Sequence, residues 1–269
     1  MKIREWLVKN RRVFTIWFIV AAVVEICVLL YFKPWGPSLG VAASPRRWTM
    51  AVICDWWLLK LPLALLGMSI VAERPKWLAP PGRYQEGQEY PVFSTYTYAA
   101  VAFMAALFAA AGILHYEFFD MPAAPAAISV TLFNPIIGFF TLWIGGVARS
   151  LIFGTGNPVY WATGVGLLDG CTWIWLGIFY WLFRESKWGK NAVARIIFWI
   201  VIYWIWRPLI IADFYLWLLP VPALWGKAVN YVTQFLPSGT TASVAGLIIS
   251  EALRQALERG RRGAPEVSA

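Results

Sequence analysis

The stretch NPIIGFFTLWIGGVARSLIFGTGNPVYWATGVGLLDG, residues 134–170, decides how this chain is read. Eight of the 21 glycines fall in these 37 residues, with two Asn-Pro steps, Arg149 and Asp169. Both flanks are strongly apolar. Helix breakers and charges inside apolar sequence are tolerated where protein buries them or a wet cavity receives them. A binding site is therefore expected here.

Working outward, apolar runs of membrane-spanning length recur on both sides. The 269-residue chain is 60% hydrophobic and only 14% charged, where a soluble domain carries about 25% charge. The expected fold is all-α: a polytopic membrane helical bundle of about eight segments, two plus six, in the lipid bilayer. The 18 tryptophans and 11 tyrosines suit its headgroup interfaces. The net charge of +9 sits mainly in loops and at the ends. That is the ordinary positive-inside pattern and not a nucleic-acid surface.

Cys27, Cys54 and Cys171 lie in apolar segments without CxxC spacing, and His115 is the single histidine. No zinc or haem set follows, so neither metal nor cofactor is expected. No nucleophile stands beside a base, and HExxH and nucleotide motifs are missing, so catalysis is not expected. The first apolar run lacks a small-residue cleavage site and reads as a retained helix.

Lys2, Arg4, Lys9, Arg11 and Arg12 precede a first span at about 13–32 and place the N-terminus in the cytoplasm. A second span follows at about 48–71, so residues 1–73 form a two-helix N-terminal membrane extension. Residues 74–94, polar and proline-rich, read as a cytoplasmic linker. The third span, about 95–115, ends in an acidic, aromatic outer loop. The basic loop 184–190 belongs inside, so the span at about 158–183 runs inward. Residues 123–153 must then cross twice, breaking near Asn134-Pro135. The last spans are about 192–219 and 225–253, with Arg254, Arg259, Arg261 and Arg262 following inside. Residues 95–258 thus make a six-helix domain, and 259–269 a disordered tail. The chain is expected in the cell membrane with both termini cytoplasmic.

Charges at membrane depth need partners. Glu25 and Lys60, central in the first two spans, are expected to form a structural ion pair. Asp169 and Arg207 lie at matching depth and should either pair or share a cavity; Asp213 stands close enough in sequence to join them. Arg149 either lines that cavity or snorkels to the headgroups. The loop at 154–158 supplies Asn157 as a hydrogen-bonding group. Trp161, Trp173 and Trp204 are expected as stacking walls for a flat ligand. Ala102, Ala106 and Ala110, spaced by four, form a flat stripe suited to internal packing or to a partner helix.

The region 95–258 resembles the substrate-binding S components of energy-coupling factor transporters. The likeness rests on the alanines at 102, 106 and 110, the short helix ending at Asn134-Pro135, and the Gly-rich segment with Gly138, Gly145, Gly146, Asn157 and Pro158. Leu167-Leu168-Asp169-Gly170 completes it. The resemblance implies capture of a vitamin or similar micronutrient at the outer face. It also implies a coupling membrane subunit docked on the alanine stripe and an ATPase pair that hydrolyses ATP. About 90 residues with two spans precede the matching region, a departure from the family pattern. The competing readings are a structural or assembly subunit of a larger membrane complex, and an integral membrane enzyme acting on a lipid or quinone.

Overall fold

Asn134 ends one helix and caps the next. Its backbone is extended (φ −160°, ψ 163°), as a residue before proline prefers, and its Oδ1 accepts the Ile137 N–H at 2.9 Å. Pro135 then occupies the first helical position, where its missing N–H costs nothing. The break read at this dipeptide is present in the computed structural model. The structure describes residues 2–32, 49–112, 120–154, 158–218 and 221–263.

Among the described residues, besides a short 3-10 turn at Trp188–Lys190, ten helices follow in order: α1 (Ile3–Lys9), α2 (Arg11–Phe32), α3 (Ala51–Ala72), α4 (Pro75–Leu78), α5 (Thr95–Ala111), α6 (Ala123–Phe133), α7 (Pro135–Phe153), α8 (Pro158–Glu185), α9 (Ala192–Leu218) and α10 (residues 221–263). No strand occurs among the described residues. Among the described residues six helices, α2, α3 and α7 to α10, are long and apolar enough to cross a membrane. Helices α5 and α6 are apolar but shorter. The chain is an all-α polytopic membrane protein. Helix α10 continues to Gly263, beyond the expected onset of a disordered tail at 259. The sequence EALRQALERGRRG is rich in Ala, Leu, Glu and Arg, which sustain a helix. Residues 264–269 lie outside the described residues.

Helix α7 is flanked by α5 and α8, while α6 lies along α10. Glycines set the spacing: a Cβ on Gly170 would stand 2.8 Å from the Phe139 ring, and one on Gly177 2.9 Å from Val130. The composition anomaly at 134–170 is thus largely close packing of aromatic and branched side chains onto bare helix backbone. Helix α3 joins the same core, with Trp56, Leu63 and Met68 buried alongside Ile174 and Ile178 of α8. The Trp175 indole also donates to the Leu63 carbonyl at 3.1 Å.

The basic segments read as sharing one side of the membrane do meet at one end of the bundle. Lys2 pairs with Glu89 at 3.0 Å, Arg74 with Glu185 at 2.9 Å, and Arg11 with Glu73. The bond between Lys2 and Glu89 raises the lysine pKa and lowers that of the carboxyl. The linker is ordered there: Trp77 is fully buried and donates to Glu185 at 2.8 Å.

Arg254 fastens the end of α6. Its Nη2 donates to the Thr131 carbonyl and, at 3.1 Å, to that of Leu132, and its guanidinium lies 4.5 Å from the Trp181 ring centre. Both carbonyls lie in a widened, π-type final turn. We expect Arg254→Met to cost about 1.5–3 kcal/mol, the scale of charged hydrogen bonds to buried groups. The apparent melting temperature of the purified protein measures this; Arg254→Lys should recover part of the loss.

Candidate functional site

The inward face of α9 is written at intervals of four: Trp199, Tyr203 and Arg207. Trp199 is sealed, its indole donating to Ser243 Oγ at 3.1 Å. Arg207 Nη1 donates to the Tyr203 hydroxyl, and Arg207 Nη2 stands 3.5 Å from Asp120 Oδ2. Pro208, next in sequence, has no N–H and removes one helical bond just beside Arg207. Gly239 on α10 leaves room for this group, since a Cβ there would lie 3.2 Å from Arg207 Nη1.

Arg207 opens onto a cavity of about 240 Å³. Its polar lining is Asp120, Arg149, Asp169 and Arg207; Trp161 and Trp173 form indole walls, and Phe108, Leu142 and Phe235 add apolar surface. All of these lie between residues 108 and 235, so α1, α2 and α3 contribute nothing to the lining.

Each side chain is positioned by its neighbours. Trp173 is buried and packs edge-on to Tyr203, with ring centres 6.0 Å apart. Trp161 lies over Gly146 of α7, which has no Cβ to obstruct it. It begins another π-type turn, and the Trp143 indole donates to the Ala162 carbonyl there at 3.1 Å. Arg149 passes Gly112, where a Cβ would stand 2.6 Å from the arginine Cδ. Gly154, in the left-handed region at φ 64°, ends α7 one turn later.

Asp169 differs from the other charged groups. It lies deep among the helices yet is partly exposed, because it faces the cavity. Its carboxylate makes no hydrogen bond and no close ion pair with any described residue. Arg207, Asp120 and Arg149 are its electrostatic neighbours.

Five residues expected at a site therefore meet: Arg149, Trp161, Asp169, Trp173 and Arg207. Of the two arrangements open to Asp169 and Arg207, the structure has the shared cavity, with Asp120 as the carboxylate facing Arg207. Trp204 is a correction. It is 39% exposed and donates to Thr240 Oγ1 at 2.8 Å, away from the cavity. One residue past Tyr203 on a helix, it turns about 100° from the inward face. Asn157 and the side chain of Asp213 lie outside the described residues.

Asp120 was not anticipated as a site residue. The signal was available: an acid two residues before Pro122, at the start of a helix, on the side where Arg207 needs a counter-charge. The alanine stripe divides cleanly, with Ala102, Ala106 and Ala110 exposed and Ala105 and Ala109 buried inside the bundle.

Glu25 and Lys60, expected to pair, each have a partner outside that pair. Lys60 stands 3.0 Å from Asp55 of its own helix, and Glu25 accepts the Trp217 indole N–H at 2.9 Å. All three ionisable groups are buried.

Among the described residues, the cavity offers two guanidinium groups, two carboxylates and two indoles, without an aligned nucleophile and base. Among the described residues no group of three His, Cys, Asp or Glu is placed to hold a metal ion. No protein-family model, no curated protein and no solved structure matches this chain.

Proposed function

We propose that this protein is a membrane-embedded solute-binding subunit that captures a small micronutrient at the outer face. The observation that carries this reading is the Asp169 carboxylate, facing a cavity at membrane depth without a hydrogen-bonding partner among the described residues. An ionisable group so placed is costly unless something in the cavity compensates it. Both termini and the basic end of the bundle are cytoplasmic in this reading, which opens the Asp120 end outward. The exposed face of Ala102, Ala106 and Ala110 is where a coupling membrane subunit, itself joined to an ATPase pair, docks. Movement of the subunit against that partner releases the ligand inside.

The test is binding by the purified full chain. A small molecule carried through purification and identified by mass spectrometry, or stabilisation by an added solute, supports the reading. Asp169→Asn and Trp161→Ala should each weaken binding at least tenfold while the protein still elutes as a single species. Arg207→Met should weaken binding and also destabilise the fold, because it leaves Asp120 facing no guanidinium at that position.

The assembly-subunit reading draws on the two ion pairs, Arg207 with Asp120 and Lys60 with Asp55, as purely internal supports. It predicts that Asp169→Asn changes nothing except stability, and that no solute stabilises the chain.

A further inference from the structure

Arg254 does more than fasten α6: we infer that its open edge, together with Lys76, forms a second binding site, one that takes the phosphate group of an anionic ligand. The site is a half-open cleft of about 540 Å³ at the basic end of the bundle. Lys76 of α4, Tyr84 of the linker, Leu132 of α6, Trp181 of α8, and Arg254 and Glu258 of α10 line it. It shares no residue with the cavity around Asp169. Arg254 is only 8% exposed and is fixed in place. Its Nη2 is committed to the carbonyls of Thr131 and Leu132, and its guanidinium lies over the Trp181 ring. That ring is itself held, because the Trp181 indole donates to the Val130 carbonyl at 2.9 Å. Nη1 donates to no described residue and, unlike Nε, is not sealed by packing. A buried guanidinium with one edge open to a cleft is a donor placed before the ligand arrives, so little ordering remains to oppose binding.

The two cations select the ligand. Lys76 is exposed and makes no hydrogen bond or ion pair with any described residue. Among the described residues Glu258 is the one acid on the cleft, and Arg184 stands 4.0 Å from it. A guanidinium fork covers both oxygens of a carboxylate by itself. A phosphate carries its oxygens in a tetrahedral array. It can therefore be shared between a fixed fork on one element and an ammonium on a flexible stem from another. Basic clefts between membrane helices take anionic lipid headgroups in this way, and a phosphate compound from water presents the same group.

The test is thermal unfolding of the purified full chain in an alkyl maltoside, with phosphate-free buffer and ionic strength fixed by chloride. Dioleoylphosphatidylglycerol is compared with dioleoylglycerol, and glycerol 3-phosphate with succinate. At least one phosphate compound should raise the melting temperature by about 3 °C more than its phosphate-free counterpart, the scale for a ligand at roughly ten times its Kd. A shift with phosphatidylglycerol alone makes the ligand a lipid headgroup. A shift with glycerol 3-phosphate makes it a phosphate compound from water. Lys76→Gln should remove at least half of the shift, Arg254→Lys should do the same, and Lys76→Arg should keep it. Lys2→Gln, at the same basic end but already paired with Glu89, should keep it too. The inference is overturned if neither phosphate compound stabilises more than its counterpart. It is also overturned if Lys76→Gln, or a folded Arg254→Lys, retains the full shift. Lys76 is exposed, so its substitutions leave the fold intact and the result is read whatever Arg254 contributes to stability.

Discussion

Gly164→Ala should destabilise the protein by about 3–5 kcal/mol, the range seen when a buried Phe or Trp loses its place. A Cβ built on Gly164 falls within the Trp56 ring, and Trp56 is fully buried. Neither partner can yield cheaply. Ejecting the indole forfeits its packing, and moving α3 away from α8 disturbs a core that runs through Leu63, Ile174 and Ile178. Simple overpacking costs about 1–3 kcal/mol, so the larger figure reflects the absence of a flexible end to shift. Unfolding of the purified protein in a denaturant series measures it. Trp56→Leu in the Gly164→Ala background should recover a substantial part of the loss, since neighbours in contact do not add. A Gly164→Ala protein that melts like the wild type would show that Trp56 does not sit there.

Lys60→Met should cost a similar amount, about 3–5 kcal/mol, because it strips a buried ammonium from Asp55. Lys60 is 1% exposed and Asp55 0%, so water cannot take over the role. Five residues apart on an α-helix, the two would point about 140° from one another. They meet at 3.0 Å because residues 51–60 are wound in wider, π-type turns that bring positions five apart onto one face. Replacing both, Asp55→Asn with Lys60→Met, should be much less damaging than Lys60→Met alone, because the Asp55 charge is removed together with the ammonium that faces it. If the single substitution proves neutral, the pair contributes nothing to stability.

That winding explains where reading the sequence stopped. The break at Asn134-Pro135 was legible because it depends on two adjacent residues and their backbone preferences. The meeting of Asp169 and Arg207 was legible because depth in a membrane is counted along each helix from its end. Lys60 with Asp55 was not, because assigning faces presumes 3.6 residues per turn. Trp204 failed differently: its depth suited a wall, but depth is silent on rotation, and the inward face runs through Tyr203. Asp120 sits just before α6 begins, so its direction depends on tertiary packing that no local pattern records. The exposure of Ala102, Ala106 and Ala110 needed the structure as well, since the interleaved Ala105 and Ala109 have the same spacing and face inward.

The contact between Trp56 and Gly164 also reaches the cavity. Gly164 lies three residues beyond Trp161, less than one turn along the same helix. Trp161 is therefore held from two sides, by Gly146 of α7 against its ring and by the Trp56 indole of α3, which packs on Gly164 less than one turn away on α8. It cannot slide along the α8 axis without driving Gly164 into Trp56. Helix α3 lines none of the cavity, yet its Trp56 braces one of the indole walls from behind.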